Sequence, residues 1–342
     1  MTAATGSRGG LAEQGLLVAA QAGDEAAFRR LTEPYARELH VHCYRMLSSI
    51  HDAEDALQET LLRAWRHLGS FAGRSSFRAW LYRIATNVCL TMAVRRRSAP
   101  RGVAAPFALP PEELVLSPYP DGLLEEVAED VAGPSAVYDR KESVQLAFLA
   151  AIQTLPPRQR AVLLLRDVLG WSAREVGELL ETSTAGVHSA LQRARATLER
   201  LRMEGSLRFE LVEPPDDVQQ SLLRRYVEAW DAVDMEGLVG LLREDAVMTM
   251  PPSPAVFRGS RAIAEFFVTV PADGRLDEIP LLPTRANGQP ALAAYLWNEA
   301  ARVYEPYGLM VFTLEGDSIA EITGFADPAL FPLFGLPGEL PA

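Results

Sequence analysis

Between residues 98 and 138 the chain carries seven prolines, seven acidic residues and one basic residue, with few periodic apolar positions. Proline fixes φ and lacks an amide donor, so neither a long helix nor a central strand can run through such a stretch. Its length also exceeds the short connections found inside compact domains. It reads as a linker, in which only DGLLEEVAEDV has the pattern of a short helix. Folded modules must therefore stand on either side of it, and 342 residues are enough for more than one core. The expected division is a Gly/Ala-rich tail over 1–23, a helical module over 24–97, the linker 98–138, a second helical module over 139–203, and a third domain over 204–342.

The formal net charge of -12 argues at first against a nucleic-acid binder. The distribution reverses that impression: the net is +4 over 24–97, -6 over the linker, +3 over 139–203 and -13 over 204–342. Asymmetry of this kind is expected when only part of a chain faces DNA. Cys43 and Cys89 are the only cysteines and form no CxxC pattern, so a disulfide framework and a structural zinc site are not expected. His40, His42 and Cys43 lie close together but lack ligand spacing to a second group, and no metal or cofactor is expected. There is no basic leader followed by an apolar run, and no run approaches about 18 apolar residues. The expectation is a soluble, cytoplasmic protein without a membrane partner.

In the first module Phe28, Leu31, Tyr35, Leu39 and Cys43 recur at helical spacing behind Asp24, a candidate N-cap. A second helix follows Asp52, also a candidate cap, and turns Ala53, Leu57, Leu61, Ala64 and Leu68 to one face. Its other face holds Glu54, Asp55, Gln58 and Glu59. These acids suit a helix N-terminus through the dipole, and equally a docking surface for a basic partner. Phe71–Ser76 reads as a loop, with Ser75 or Ser76 capping a helix that buries Phe77, Leu81, Ile84, Ala85 and Val88. Arginines and aromatics alternate across 73–97: Arg74, Arg78 and Arg83 with Phe77, Trp80 and Tyr82, then Arg95, Arg96 and Arg97. Cations neutralise phosphates and aromatic faces stack on bases, so the run suits a nucleic-acid strand, while an amphipathic core helix with a solvated arginine face fits equally well. Trp80, Arg83 and Asn87 fall near one another, and the Asn87 amide has the donor and acceptor needed to read a base edge.

The stretches DAEDALQETLLRAW and FAGRSSFRAWLYRIATNVCL resemble regions 2.2 to 2.4 of bacterial sigma-70-type factors of the extracytoplasmic-function group. The resemblance implies core RNA polymerase, through its β and β′ subunits, and promoter DNA as partners. The face with Asp52, Glu54, Asp55, Gln58 and Glu59 would then dock on the β′ clamp helices. The −10 element would be held by Arg74, Ser75, Ser76, Trp80, Arg83, Asn87, Arg95, Arg96 and Arg97, with a flipped base received by loop 71–76. In the family the linker threads through polymerase. Thr91 stands where relatives often carry aspartate.

In the second module a helix is expected over 158–169, opened by Pro156-Pro157 and stopped at Gly170. Ser172 caps a helix through Leu180, Glu181-Thr182-Ser183 turns, and Thr184 opens a last helix with Val187, Ala190, Leu191, Ala194 and Leu198 inward. Two helices joined by a tight turn, the second Arg-rich, form a helix-turn-helix pattern. The run LPPRQRAVLLLRDVLGWSAREVGELL and GVHSALQRARATL resemble region 4 of the same family. That implies −35 contacts from Thr184, His188, Ser189, Gln192, Arg193 and Arg195, with Arg193 the leading candidate because guanidinium suits guanine edges and phosphates. His188 stands where many relatives have arginine.

In the third domain 216–233 and 234–243 read as helices, followed by strands near 246–250, 281–286, 291–297, 308–314 and 319–324. Asn287-Gly288 and Glu315-Gly316-Asp317 are hairpin turns. Helices followed by an antiparallel meander imply an α+β cone. EDAVMTMPP, FRGSRAIAEFF and RANGQPALAAY resemble the SnoaL-like branch of the nuclear-transport-factor-2 superfamily. Tyr226, Trp230 and Met250, with Glu244 and Asp245 at the rim, would line a ligand pocket. Met250 occupies the place of the steroid isomerases' catalytic aspartate, so a regulatory or ligand-binding domain is expected rather than an enzyme.

The fold expected is thus two all-α modules, a flexible linker and an α+β cone. The function expected is a sigma factor tuned in cis by its last domain, through a small ligand or an intramolecular contact. Two rival readings are a helix-turn-helix regulator that acts without polymerase, and a cyclase or isomerase fused to a DNA-binding region.

Overall fold

Helix formation starts earlier than the apolar periodicity predicts. In the computed structural model, which describes residues 6–98, 116–125, 142–203 and 214–341, α1 (Gly6–Gln21) already occupies much of the expected tail. Its last residue is tied down, because Gln21 Nε2 donates to the carbonyls of Leu68 (3.1 Å) and Phe71 (3.2 Å). Helix α2 (Glu25–Leu47) is capped by Asp24, whose side chain accepts from the amides of Ala26 and Ala27. Helix α3 (Ile50–His67) begins two residues before Asp52. Ser49 is its cap and Asp52 lies in its first turn, where the dipole favours a carboxylate. Helix α4 (Phe77–Ser98) is opened by Ser76, whose hydroxyl accepts from Ala79 N at 3.1 Å.

The chain divides into two compact units. The first holds α1 to α4 and the helices within 152–200. Its core is set by small residues on α3 (Ala53, Ala56 and Ala64), which meet Leu39, Cys43, Met46, Leu81, Ala85 and Val88. The second half of α2 is buried on every side, so its polar residues need partners within the protein. Glu38 accepts a bidentate pair from Arg78 at 2.8 and 2.7 Å, and Tyr82 OH donates to it at 3.3 Å. The His42 ring lies 2.9 Å from the Thr86 hydroxyl. Burial, with Arg45 and Arg78 nearby, pushes its pKa down to about 3, so the ring is neutral.

Helix α5 (Asp121–Glu125) falls within the expected DGLLEEVAEDV helix, the remainder of which, 126–131, lies outside the described residues. Beyond it, α6 (Leu146–Gln153) precedes α7 (Pro157–Leu163), with proline in its first turn. The expected regular helix over 158–169 instead widens into a π-turn at Leu164–Val168 and ends at Gly170, φ 68°. Helix α8 (Ala173–Leu179) carries a reciprocal capping box between Ser172 and Glu175, which holds the Glu175 carboxyl below its ordinary range. Helix α9 (Thr184–Met203) completes the helix-turn-helix. Gly177 permits the turn, since a Cβ there would meet Thr182 O at 2.9 Å.

The second unit contains the C-terminal domain with residues 116–122 and 142–151. Helices α10 (Asp216–Asp231), α11 (Met235–Leu241) and α12 (Ser260–Thr269) pack on a six-stranded sheet. The strands are β1 (Leu242–Met250), β2 (Ser253–Arg258), β3 (Leu281–Ala286), β4 (Gln289–Asn298), β5 (Val303–Glu315) and β6 (Ser318–Phe325), in the order β2-β1-β6-β5-β4-β3. The meander from β3 to β6 is antiparallel as expected. However, β6 pairs in parallel with β1, so the sheet is mixed. Strand β2 and helix α12 are additions to the expected elements. Tyr226, Trp230, Phe267 and Phe312 meet at centroid distances of 5.0 to 6.0 Å beneath the sheet. Each such side chain contributes about 1.5–3 kcal/mol by burial.

Candidate nucleic-acid interface

Helix α4 divides its residues as its amphipathic pattern requires. Phe77, Leu81, Ala85 and Val88 are buried and Ile84 is half-buried, while Arg83 and Asn87 are exposed with Trp80 at their N-terminal end. Trp80 is half-buried in an aromatic cluster with Phe71 (5.2 Å) and Phe77 (5.6 Å). The cluster stands behind the exposed loop residues Arg74, Ser75 and Ser76, and Gly73 turns that loop at φ 67°. An aromatic floor, flanking guanidinium groups and an exposed amide can together stack bases and neutralise phosphates. Arg95 is exposed further along the same helix, and the side chains of Arg96 and Arg97 lie outside the described residues. On α3, Glu54, Asp55 and Gln58 are exposed, and Asp52 and Glu59 are half-buried. Gln58 donates to Glu54 at 3.0 Å, and Arg63 donates to Glu59 at 2.6 Å.

On α9, Val187, Leu191, Ala194 and Leu198 are buried, and Thr184, His188, Ser189, Gln192 and Arg193 are exposed together. Arg195 is held differently. Its guanidinium makes a bidentate pair, at 2.6 and 2.8 Å, with Asp167, a buried carboxylate on the π-turn. It ties α9 to the π-turn while remaining half-exposed itself.

Within the same unit the two exposed faces touch. Arg83 pairs with Glu181 of the helix-turn-helix turn. The Trp171 ring lies 5.2 Å from Tyr82 and within 5.9 Å of the Arg78 guanidinium. Arg160 is buried and donates to the carbonyls of Ile152, Gln153 and Leu155, and at 2.6 Å to Met46 at the end of α2. Gln153 donates to the Ser48 hydroxyl. Sequence reasoning gave none of these residues a role in a contact between the two helical modules. The available signal was Glu181 itself, an acid at a turn position that often takes glycine.

In the second unit the residues expected to line a pocket form core instead. Tyr226 and Trp230 are buried, and Trp230 Nε1 donates to Ile279 O at 3.0 Å. The Tyr226 hydroxyl has no hydrogen-bond partner among the described residues, and burial alone raises its pKa. Met250 packs half-buried against the same core. Glu244 and Asp245 line an open hollow with Arg243, which pairs with Asp245 at 2.9 Å and Glu315 at 2.8 Å. The distinctive polar cluster lies at the β3–β4 turn. Asn287 exchanges two bonds with the backbone of Tyr119: its amide donates to Tyr119 O at 2.9 Å and its Oδ1 accepts from Tyr119 N at 2.8 Å. Its Nδ2 donates to Val144 O at 2.6 Å. Gly288 N and Arg285 Nε both donate to Asp121, and Gln289 Oε1 accepts from Leu146 N. Linker residues Tyr119 and Asp121, and Val144 and Leu146 just after the linker, are therefore seated on one turn.

Comparison with known proteins assigns these modules. Residues 31–99 match Sigma-70 region 2, residues 145–198 match Sigma-70 region 4, and residues 223–322 match the SnoaL-like domain. The ECF RNA polymerase sigma factor SigG of Mycobacterium tuberculosis is 45% identical over 322 residues, covering 92% of this chain and 85% of that one. The chain belongs to the ECF RNA polymerase sigma factors. SigW of Bacillus subtilis is 32% identical over 178 residues, covering 52% of this sigma factor and 90% of its own length. The crystal structure of the Mycobacterium tuberculosis extracytoplasmic function sigma factor SigJ shares the fold, with a TM-score of 0.58, 21% identity, and coverage of 88% and 97% of the two chains. The similar curated proteins are sigma factors and not enzymes. Among the described residues of the sigma factor no helix is long and apolar enough to cross a membrane.

Proposed function

We propose that this sigma factor reads the −10 strand with Trp80, Arg83 and Asn87 and the −35 duplex with Thr184, His188, Ser189, Gln192 and Arg193. The acidic row on α3 docks on core polymerase. The observation that carries the −10 assignment is the exposed Arg83–Asn87 row beside the Phe71–Phe77–Trp80 cluster, because stacking and phosphate neutralisation meet there on one rigid helix. Reconstituted run-off transcription with core polymerase across a promoter library tests it. Trp80→Ala and Asn87→Ala should lower output and relax preference at −10 only, and Arg193→Ala should do so at −35 only. Unchanged −10 preference in both region 2 variants would remove that assignment.

The C-terminal domain acts in cis. Support comes from Asn287, Gly288, Arg285 and Gln289, which grip the linker backbone and Asp121. Tyr226 and Trp230 are buried in the domain core, and the support for this regulation is the linker seat. Truncation after residue 205 should change promoter output at matched protein levels, and equal output from both chains would reject regulation in cis.

A further inference from the structure

Helix α1 precedes residues 31–99, the part of the chain that matches Sigma-70 region 2, yet it reaches the loop in front of α4. Its C-terminus is fixed locally. Gly23 turns at φ 98°, a value that suits glycine, and the amides of Gly23 and Asp24 donate to the carbonyls of Ala20 (3.0 Å) and Ala19 (3.1 Å). Gln21 is therefore held where the helix stops, and both N–H groups of its amide are spent on one short segment. They go to the carbonyls of Leu68 and Phe71, which bracket the turn Leu68–Ser70. Leu68 O also accepts from Phe71 N at 3.0 Å, so the side chain closes a backbone turn from outside. Nearer the start of α1, Glu13 accepts from Tyr35 OH at 2.9 Å, and the Tyr35 ring lies 5.9 Å from Phe77.

Phe71 is where this bracing meets the reading surface. Its carbonyl is held by Gln21, while its ring packs on Trp80 (5.2 Å) and Phe77 (5.7 Å). Backbone and ring of one residue move together, so a shift at the carbonyl displaces the aromatic floor behind Arg74, Ser75 and Ser76. The far end of the loop is fixed independently, by the Ser76 hydroxyl on Ala79 N. Gln21 is itself exposed, so its place in the chain is not one of core packing. We infer that Gln21 is a positioning residue for promoter reading: by holding the carbonyls of Leu68 and Phe71 it sets the aromatic floor and the entry of loop 71–76, and thereby the base preference at −10. It acts through Phe71 and touches no DNA. A reading surface discriminates only when the groups behind it are held, even where the holding bonds add little to stability. The inference rests on the −10 reading proposed above.

Two substitutions in the full chain test it. Gln21→Met keeps the length and helix propensity of the side chain and removes both donors, whereas Gln21→Asn keeps the amide on a shorter stem. In hydrogen exchange without polymerase, the Phe71 amide should exchange roughly fivefold faster in both variants, the scale of one hydrogen bond, while the core amides of α3 and α4 keep their protection. In run-off transcription with core polymerase across −10 sequence variants, both should cut the discrimination between preferred and other bases roughly fivefold, with −35 preference unchanged. Gln14→Ala, exposed on the same helix, should match the parent in both assays. Unchanged Phe71 exchange would overturn the inference. So would output lowered evenly with −10 preference intact, which is what a merely structural brace gives. Trp80→Ala and Asn87→Ala are run alongside. Preference altered in these two but not in the Gln21 variants rejects the positioning role alone, and preference unaltered in all of them rejects the −10 reading with it. Preference flattened by the Gln21 variants alone supports the positioning role and counts against Trp80 and Asn87 as the readers.

Discussion

Two of the turns in this sigma factor that hold a non-glycine residue in left-handed backbone use it in opposite ways. Asn287 is fully buried at φ 61° and bonds the backbone of Tyr119 in the linker and of Val144 just beyond it. Glu181 is exposed at φ 53° and its carboxylate makes one ion pair. Asparagine tolerates the left-handed region and glutamate does not, so the buried turn is well matched to its residue and the exposed one is strained. Buried polar groups with full partners commit a conformation, whereas exposed ones leave it reversible.

The largest effect expected comes from Asn287→Ala. Tyr119 N and Val144 O would each lose a buried partner, at about 1–3 kcal/mol apiece. Hydrogen exchange should show the Tyr119 amide losing protection while α2 keeps its own, and retained protection would break the comparison. Next comes Arg195→Ala, which strands the buried Asp167 carboxylate. A fully buried pair broken this way costs about 3–5 kcal/mol, and the half-exposed arginine reduces that to roughly 2. Thermal unfolding should therefore separate Arg195→Ala from Arg193→Ala, which should weaken −35 duplex binding with stability within about 0.5 kcal/mol. Equal stability in the two variants would return Arg195 to the DNA-reading row.

His42 sharpens the same contrast through pH. Its folded pKa is about 3, against about 6.5 when unfolded. Below pH 6.5 the unfolded chain takes up a proton that the folded chain refuses, so stability falls as pH drops from about 6.5 toward 3, by at most ~1.4 kcal/mol per unit. Urea midpoints for His42→Gln should show a shallower slope in that window than the parent. The smallest effect belongs to Glu181→Gly, whose melting temperature should stay level or rise slightly as left-handed strain is relieved. A clear loss of stability would mean that the ion pair of Glu181 with Arg83 outweighs the strain at the turn.

These roles were unevenly legible in the sequence. The helices of regions 2 and 4 show plainly, because Leu39, Cys43, Leu81, Val88, Val187 and Leu191 repeat at helical spacing and α2, α3, α4, α8 and α9 carry side-chain caps. Strand β2 is short and follows Pro251-Pro252 closely, and α12 opens directly after Gly259, so breaker residues hide both from a reading by periodicity. The mixed pairing of β6 with β1 is a long-range register that alternation cannot reveal. The pairing of Arg195 with Asp167 is hidden for the same reason, since its partner stands 28 residues earlier. Asn287 reads as an ordinary hairpin residue, since its partners Tyr119 and Val144 stand 168 and 143 residues away. Local chemistry is visible in a single chain of letters, and partner choice across the fold is not.

The linker seat also sets a length. Asp121 and Val144 are both anchored to the β3–β4 turn, whatever path residues 122–143 take between them. At ~3.3 Å per residue, those 23 steps represent roughly 75 Å of contour. Anchoring both points to one turn holds them much closer together than that contour allows. On the regulation in cis proposed above, releasing the grip would return this length to the tether that joins the two helical modules.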